Sequence, residues 1–440
     1  MRDCDGILAA LKKTLEIHKN EYVAYLQDIV SIDTQDIGHG IKGGREKEGQ
    51  EYLIKLFEEM CADNITKDDM SEEFISEAIA KHREGNPGHD YTDRFNIYAT
   101  FKSVLSNPDN ASDFEHSPKT ILFNGHIDTM PPGDLSLWES PPHKPEIRDG
   151  LLYGLGSCDM KGGLMAAIMA VKLISDAKLK LPAHVIITSV CDEEGGGNGS
   201  IRAIMQGLKA DGVVVCEPTS RELILAHMGF VFFKVSIEGR SNHSGAKWLG
   251  VSAIEKMTAL MQRLNDLEHR WLLKYKHPLL PAPNLNVGTI HGGSAGSTVA
   301  GECAIEICVH YLPRLMSHEQ VVSEITDEIE RFSRSDLWLK EHPPKVEIYQ
   351  SGGAFEMPED EFTKSFCDAY KKVRGEDVKI AGSPAGCDAR LWRNIAECPT
   401  IQYGPGNLEQ CHSVNEYLSV DEYLQTILIY AMLILEFNNP

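Results

Sequence analysis

Five short segments of the chain combine acidic or imidazole side chains with glycine- or proline-rich turns. They are Asn124-Gly-His126-Ile-Asp128-Thr-Met-Pro131, Gly156-Ser-Cys-Asp159-Met-Lys161-Gly-Gly, Cys191-Asp-Glu193-Glu194-Gly, Cys216-Glu217-Pro-Thr, and Gly404-Pro-Gly406 through Cys411-His412-Ser. Three of them follow directly on a run that reads as a buried strand, and in open α/β sheets ligands bind beyond the carboxyl ends of the strands. Pooled, they offer His126, Asp159, Glu194, Glu217 and His412. Two imidazoles and three carboxylates form a mixed nitrogen and oxygen set, which suits Zn²⁺, Mn²⁺ or Co²⁺ better than Ca²⁺ or Mg²⁺. Five ligands exceed the need of one tetrahedral zinc; two metals sharing one bridging carboxylate use them all.

Singly, each residue has an ordinary explanation. Asp159 reads as an N-cap for a helix starting near Met160, and Glu193-Glu194 as a charged turn. Their joint order on strand ends makes the case. Two lookalikes fall away. Gly154-Leu-Gly156-Ser-Cys-Asp159 opens like a dinucleotide fingerprint, but an aspartate replaces the third glycine. Gly195-Gly-Gly-Asn-Gly199 lacks the Lys-Ser/Thr of a P-loop. Cys158, Cys191, Cys216 and Cys411 adjoin the candidate ligands, and alternation along a strand turns Cys216 into the core if Glu217 faces a metal.

The elements that must hold these residues follow from periodicity. Apolar spacing predicts helices over 7–30, 47–61, 164–177 and 201–208, and strands over 94–102, 119–124, 184–191 and 213–216, with a polar loop at 106–118. Strands that are nearly all apolar, alternating with helices, predict an α/β fold with a mixed, mostly parallel sheet covered by helices on both faces. After about residue 227 the strands alternate instead. The order there is strand 230–238, helix 250–268, strands 285–291 and 302–311, helix 317–333 and strand 345–349. This β-α-β-β-α-β order predicts an inserted ferredoxin-like α+β domain, residues 228–352, within a discontinuous domain of 1–227 and 353–440.

The chain has 440 residues, 42% of them hydrophobic and 25% charged, as in ordinary globular proteins. Its 43 basic against 65 acidic residues give a net charge of −22, which argues against nucleic acid and against anionic membranes as partners. No apolar run reaches the roughly 18 residues of a membrane span. The opening segment is no secretory signal, and 11 cysteines without regular spacing read as reduced thiols, so a cytoplasmic protein is expected.

The quoted motifs, with the segment Gly239-Arg-Ser-Asn-His243-Ser-Gly and the tail His412-Ser-Val-Asn-Glu416, resemble the M20 metallopeptidase family over nearly the whole chain. That family includes acetylornithine deacetylase, succinyl-diaminopimelate desuccinylase, aminoacylase and related carboxypeptidases. The resemblance implies two divalent metals, Zn²⁺ first and Co²⁺ or Mn²⁺ as alternatives. His126 and Glu217 would hold one, Glu194 and His412 the other, with Asp159 bridging. It implies Asp128 as the acceptor that fixes the His126 tautomer, and Glu193 as the general base. It implies that the inserted domain is a lid that makes a homodimer, its His243 polarising the scissile carbonyl of the neighbour's site. The expected activity is amide hydrolysis of a small N-acyl amino compound, as in an acetylornithine-deacetylase-like deacylase. A dipeptidase or carboxypeptidase and a non-catalytic binding protein are the alternatives. Where family members carry a carboxylate-gripping arginine before Leu-Pro, this chain has His310, and Ser297 stands where many have asparagine. Arg314, Arg390 and Lys247 are the candidate substitutes for that grip.

Overall fold

The computed structural model describes residues 4–36, 43–106 and 118–437. Most of the polar loop expected at 106–118, namely 107–117, and the opening Met-Arg-Asp lie outside the described residues. The chain divides into two compact units. One comprises Met1–Leu225, Met357–Ala381 and Cys387–Pro440, and the other Ala226–Glu356 with Gly382–Gly386.

The first part of the chain carries α1 (Cys4–Ser31), α2 (Lys47–Glu59), β1 (Asn64–Asp69), α3 (Glu72–His82), β2 (Phe95–Phe101), β3 (Thr120–His126), β4 (Glu146–Arg148) and β5 (Leu151–Tyr153). It continues with α4 (Lys161–Asp176), β6 (His184–Val190), α5 (Asn198–Met205), β7 (Gly212–Val215) and β8 (Leu223–His227). The middle part holds β9 (Gly229–Glu238), α6 (Ala253–Lys274), β10 (Asn284–Gly292), β11 (Glu302–Tyr311), α7 (His318–Ser335), β12 (Lys345–Gly352) and β13 (Phe355–Glu356). The last part adds α8 (Glu361–Arg374), β14 (Ile380–Ser383), α9 (Ala389–Asn394), β15 (Thr400–Gln402), β16 (Tyr417–Ser419) and α10 (Val420–Glu436).

The large sheet runs β1-β2-β6-β3-β7-β15-β8, and its four middle strands are parallel. Strands β3 and β7 are buried almost throughout, with the apolar runs Ile121–Phe123 and Val213–Val215 at their centres, as expected of strands covered on both faces. Their register sets His126 opposite Val190 and Asn124 opposite Val215. The segments that follow β3, β6 and β7 therefore leave the sheet on one edge. Helix α4 is apolar on nearly every side and packs as a core helix against α1, α10 and β3. Its approach needs glycine: a Cβ on Gly163 would lie 1.8 Å from the Cys216 carbonyl oxygen. In this way the turn before α4 is brought beside the exit of β7. The N-cap of α4 is Met160 without a side-chain bond, so Asp159 is left free of the capping role its position suggested.

In the second unit, β10-β11-β9-β12 form an antiparallel sheet in the ferredoxin-like order. The alternate residues Val231, Phe233, Val235 and Ile237 of β9 are buried with Met257, Leu260 and Leu264 of α6 and Val321, Ile325 and Ile329 of α7. Helix α6 begins at Ala253, capped by Ser252, and runs six residues beyond the predicted end at 268 to Lys274. The described cysteines are free thiols. Among the described residues, no helix is long and apolar enough to cross a membrane.

Candidate metal centre

His126 ends β3 and is buried. Its Nδ1 lies 2.9 Å from the backbone carbonyl oxygen of Asp128 and 3.6 Å from the Asp128 carboxylate. The carbonyl, not the carboxylate expected from the sequence, is thus the near acceptor for an Nδ1–H. Donation there turns Nε2 toward Asp159 Oδ1 at 3.2 Å and Glu217 Oε1 at 3.6 Å, and Nε2 can offer a lone pair to a metal once the ring gives up its second proton. The Asp128 carboxylate instead accepts the backbone N–H of Glu194 at 3.0 Å, tying the turn after β6 to the one after β3.

On the other side of Asp159, His412 Nε2 lies 3.5 Å from Asp159 Oδ2 and 3.0 Å from Glu194. Two groups of donors result, His126–Asp159–Glu217 and Asp159–Glu194–His412, each with ligand atoms within 4.8 Å of one another. The five candidate ligands come together, with Asp159 common to both groups.

The electrostatics fit cations. Burial, and then the charge of Asp159, pushes the Glu194 and Glu217 carboxyls above the usual range. Burial and the charge of Asp388 do the same to Glu193. Burial also pulls the His126 imidazole down, but its bond to Asp159 and the charges of Asp128 and Glu217 more than offset this and hold it well above its ordinary value. The acidic groups repel one another in a place with little water, and divalent ions between them relieve that repulsion.

Glu193 lies in the turn between β6 and α5, where its carbonyl accepts the N–H groups of Gly196 and Gly197 at 2.8 and 2.9 Å. Its predecessor, Asp192, anchors the turn from beneath. The Asp192 carboxylate binds His89 Nδ1 at 2.8 Å, the Tyr91 hydroxyl at 2.6 Å, Asn198 Nδ2 at 2.7 Å and Arg94 Nη2 at 3.2 Å. Arg94 pairs in turn with Glu46 at 2.5 Å. Sequence reasoning missed this buried network; its one signal was an acidic residue directly before the Glu193-Glu194 pair.

The substrate candidates separate. Arg390 is 3% exposed, and its guanidinium binds Glu84 at 3.1 Å and the carbonyls of Cys387 and Gly196 at 2.8 and 3.2 Å. Its fork is engaged in holding the turn after Glu193. Arg314, in the second unit, is exposed and pairs with Glu356 at 3.1 Å. His310 is half-buried on β11, 3.2 Å from Asn284 Oδ1, and burial lowers its imidazole below the ordinary value. His243 is an exposed residue of the second unit whose Nδ1 accepts the Gly245 N–H at 3.1 Å, and Lys247 pairs with Glu255.

The fold and the paired donor groups define a metal-dependent hydrolase. The chain belongs to the M20 metallopeptidase family: the sequence model of peptidase family M20/M25/M40 matches residues 122–436. N-formyl-4-amino-5-aminomethyl-2-methylpyrimidine deformylase of Bacillus subtilis (strain 168) is 33% identical over 343 residues, 72% of this chain and 78% of that protein. Acetylornithine deacetylase of Vibrio parahaemolyticus is 31% identical over 306 residues, 68% of this chain and 77% of that one. Among solved structures, the di-peptidase Dug1p of Saccharomyces cerevisiae superposes with a TM-score of 0.73 at 15% identity, covering 98% of this chain and 99% of that one. The M20 metallo-carboxypeptidase Sso-CP2 of Sulfolobus solfataricus gives 0.70 at 16%, over 94% and 99%. At such identities the superpositions establish the fold alone.

Proposed function

We propose that the enzyme removes a short acyl group from a small N-acyl amine, with two divalent ions, Zn²⁺ first and Mn²⁺ or Co²⁺ as alternatives. His126 and Glu217 hold one ion, Glu194 and His412 the other, and Asp159 lies between. The observation that carries this reading is the sharing of Asp159 by two donor groups beside a carboxylate, Glu193, that belongs to neither. When bound, the ions supply charge that acidifies water and polarises an amide carbonyl. Glu193 takes the proton from the attacking water as oxygen bonds to the carbonyl carbon. It returns that proton to the amine nitrogen as the C–N bond breaks, giving a carboxylic acid and a free amine.

Substrate choice rests on His310. Burial favours its neutral form, so it offers a carboxylate no charge where family members offer an arginine. An amine without an α-carboxylate fits better, as in the deformylase relative; N-acetylornithine and dipeptides fit less well. A screen of N-formyl, N-acetyl and N-succinyl amines and unblocked dipeptides with Zn²⁺, Mn²⁺ and Co²⁺ tests this. The expected result is the highest kcat/KM on N-formyl or N-acetyl amines lacking a carboxylate. The highest kcat/KM on dipeptides replaces the reading with a dipeptidase.

Metal binding is expected to release protons. In the metal-free protein the hydrogen bond to Glu194 is the largest influence on His412 and raises its imidazole from 6.5 to about 9. Below that value the ring is protonated, and it must lose the proton to ligate. Calorimetry at pH 7.5 in buffers of different ionisation heat should show proton release, with the His412 share of it fading as pH rises through 9. Affinity should fall as pH drops. Heats independent of buffer would count against His412 as a ligand.

The same reading takes residues 228–352 as a lid that pairs with a second copy of the chain, through which His243 serves the neighbour's site. Sedimentation velocity should show a dimer; a fully active monomer removes this part. Free thiols suit a reducing, cytoplasmic setting.

A further inference from the structure

We propose that Glu416 is a positioning residue of the metal centre, clasping the backbone of the loop that presents Asp159 while its own segment presents His412. The inference rests on the metal reading above. The loop 154–160 between β5 and α4 has no ladder or helix to fix it, yet it must hold Asp159 between two donor groups. Glu416 is 1% exposed. Its Oε1 accepts the N–H groups of Cys158 at 2.7 Å and Asp159 at 3.0 Å, and its Oε2 accepts that of Gly156 at 2.8 Å. Its backbone carbonyl accepts the N–H of Gly154 at 3.0 Å. Four amides of one loop thus converge on a single residue. Amides gathered on a carboxyl group form an anion-binding concavity, and a loop held at several of its amides by one side chain has little freedom to move.

The clasp is continuous with regular structure on one side and with a ligand on the other. Downstream, Tyr417, Leu418 and Ser419 pair with Tyr153, Leu152 and Leu151. Upstream, the turn from His412 to Glu416 is set by positive φ angles of 56° at His412 and 59° at Asn415. The Asn415 side chain anchors it by accepting the Glu139 N–H at 2.8 Å. On the loop itself, Gly156 sits at φ 78°, where a Cβ would lie 2.5 Å from Thr129 Cγ2. Glu416 therefore sets the distance between Asp159 and His412, donors supplied by segments far apart in the chain. Groups that orient ligands in this way are typically worth about 10- to 100-fold in metal affinity or activity.

The test is Zn²⁺ and Co²⁺ binding to the metal-free chain, by competition with a chromophoric chelator, for wild type, Glu416→Gln and Glu416→Ala. Glu328→Gln is the comparison, because Glu328 is a buried carboxylate of the second unit, bound by Arg270 and Arg331. Both Glu416 variants should bind about 10- to 100-fold more weakly, with an altered visible spectrum of bound Co²⁺. Glu328→Gln should lower Tm alone. Folded Glu416→Gln with wild-type affinity and Co²⁺ spectrum overturns the proposal. Wild type that binds no metal overturns it together with the functional reading. Should the alanine variant not fold, the isosteric glutamine variant carries the test. Hydrogen exchange on metal-free wild type adds a check needing no variant: the amides of Gly156, Cys158 and Asp159 should be protected, and free exchange there overturns the clasp.

Discussion

Glu193→Gln is expected to lower kcat by about 10²- to 10⁴-fold while leaving KM and metal content near wild type. The glutamine has the same shape, so the turn between β6 and α5 should survive. That turn is held by the Glu193 carbonyl, by Asp192 and by the Arg390 fork, none of which uses the Glu193 side chain. The substitution also removes a carboxylate whose charge Glu217 and His126 both feel. Metal-free Glu193→Gln should therefore be no less stable than wild type. What it lacks is a group that can hold a proton between the water and the amine. Glu194→Gln, in contrast, should lose metal, because Glu194 belongs to a donor group. Elemental analysis beside steady-state kinetics separates the two. Near-normal turnover by metal-loaded Glu193→Gln would remove it as the base, and the reverse pattern would mean that the two neighbours exchange roles.

What could be read from the sequence, and what could not, divides along the range of the interactions. The two donor groups were legible because they use residue types that are costly to bury unless paired or metal-bound, placed after strands whose apolar runs announce a buried sheet. The antiparallel unit was legible because period-two alternation marks β9 and β11, with burial on every second residue. Strand β1 was not, since Asn-Ile-Thr-Lys-Asp-Asp is a polar edge strand paired only through β2. Nor was β16, three residues long, whose partner β5 lies far back along the chain. The Asp192 network joins residues about a hundred positions apart, and Arg390 is claimed by Glu84 from the other end of the chain. A sequence window sees an arginine; only the tertiary fold shows that each of its three guanidinium nitrogens has a partner. Asp128 teaches the same lesson more finely. The family resemblance pointed to its carboxylate as the imidazole acceptor, but the backbone oxygen is nearer and the carboxylate holds Glu194.

Asp159→Ala should cost both metals, and it is the substitution that best tests the shared-ligand geometry. His126 and Glu217 stand on one side of Asp159 and Glu194 and His412 on the other, and no other residue belongs to both groups. Glu217→Ala or His412→Ala should each leave one group intact and about one ion per chain after dialysis, against two for wild type. Asp159→Ala should leave neither group with three donors, hence close to none. Its kcat/KM should fall by at least about 10³-fold, the loss of metal-based charge stabilisation adding to that of oriented water. The metal-free variant should still fold, because burial and Asp159 are the leading influences that raise Glu194 and Glu217, and removing Asp159 lessens that repulsion. The loop should also keep its course, since Asp159 is held there through its backbone N–H, which alanine retains. If one ion stays tightly bound to Asp159→Ala, Asp159 serves a single ion, and the two donor groups work independently.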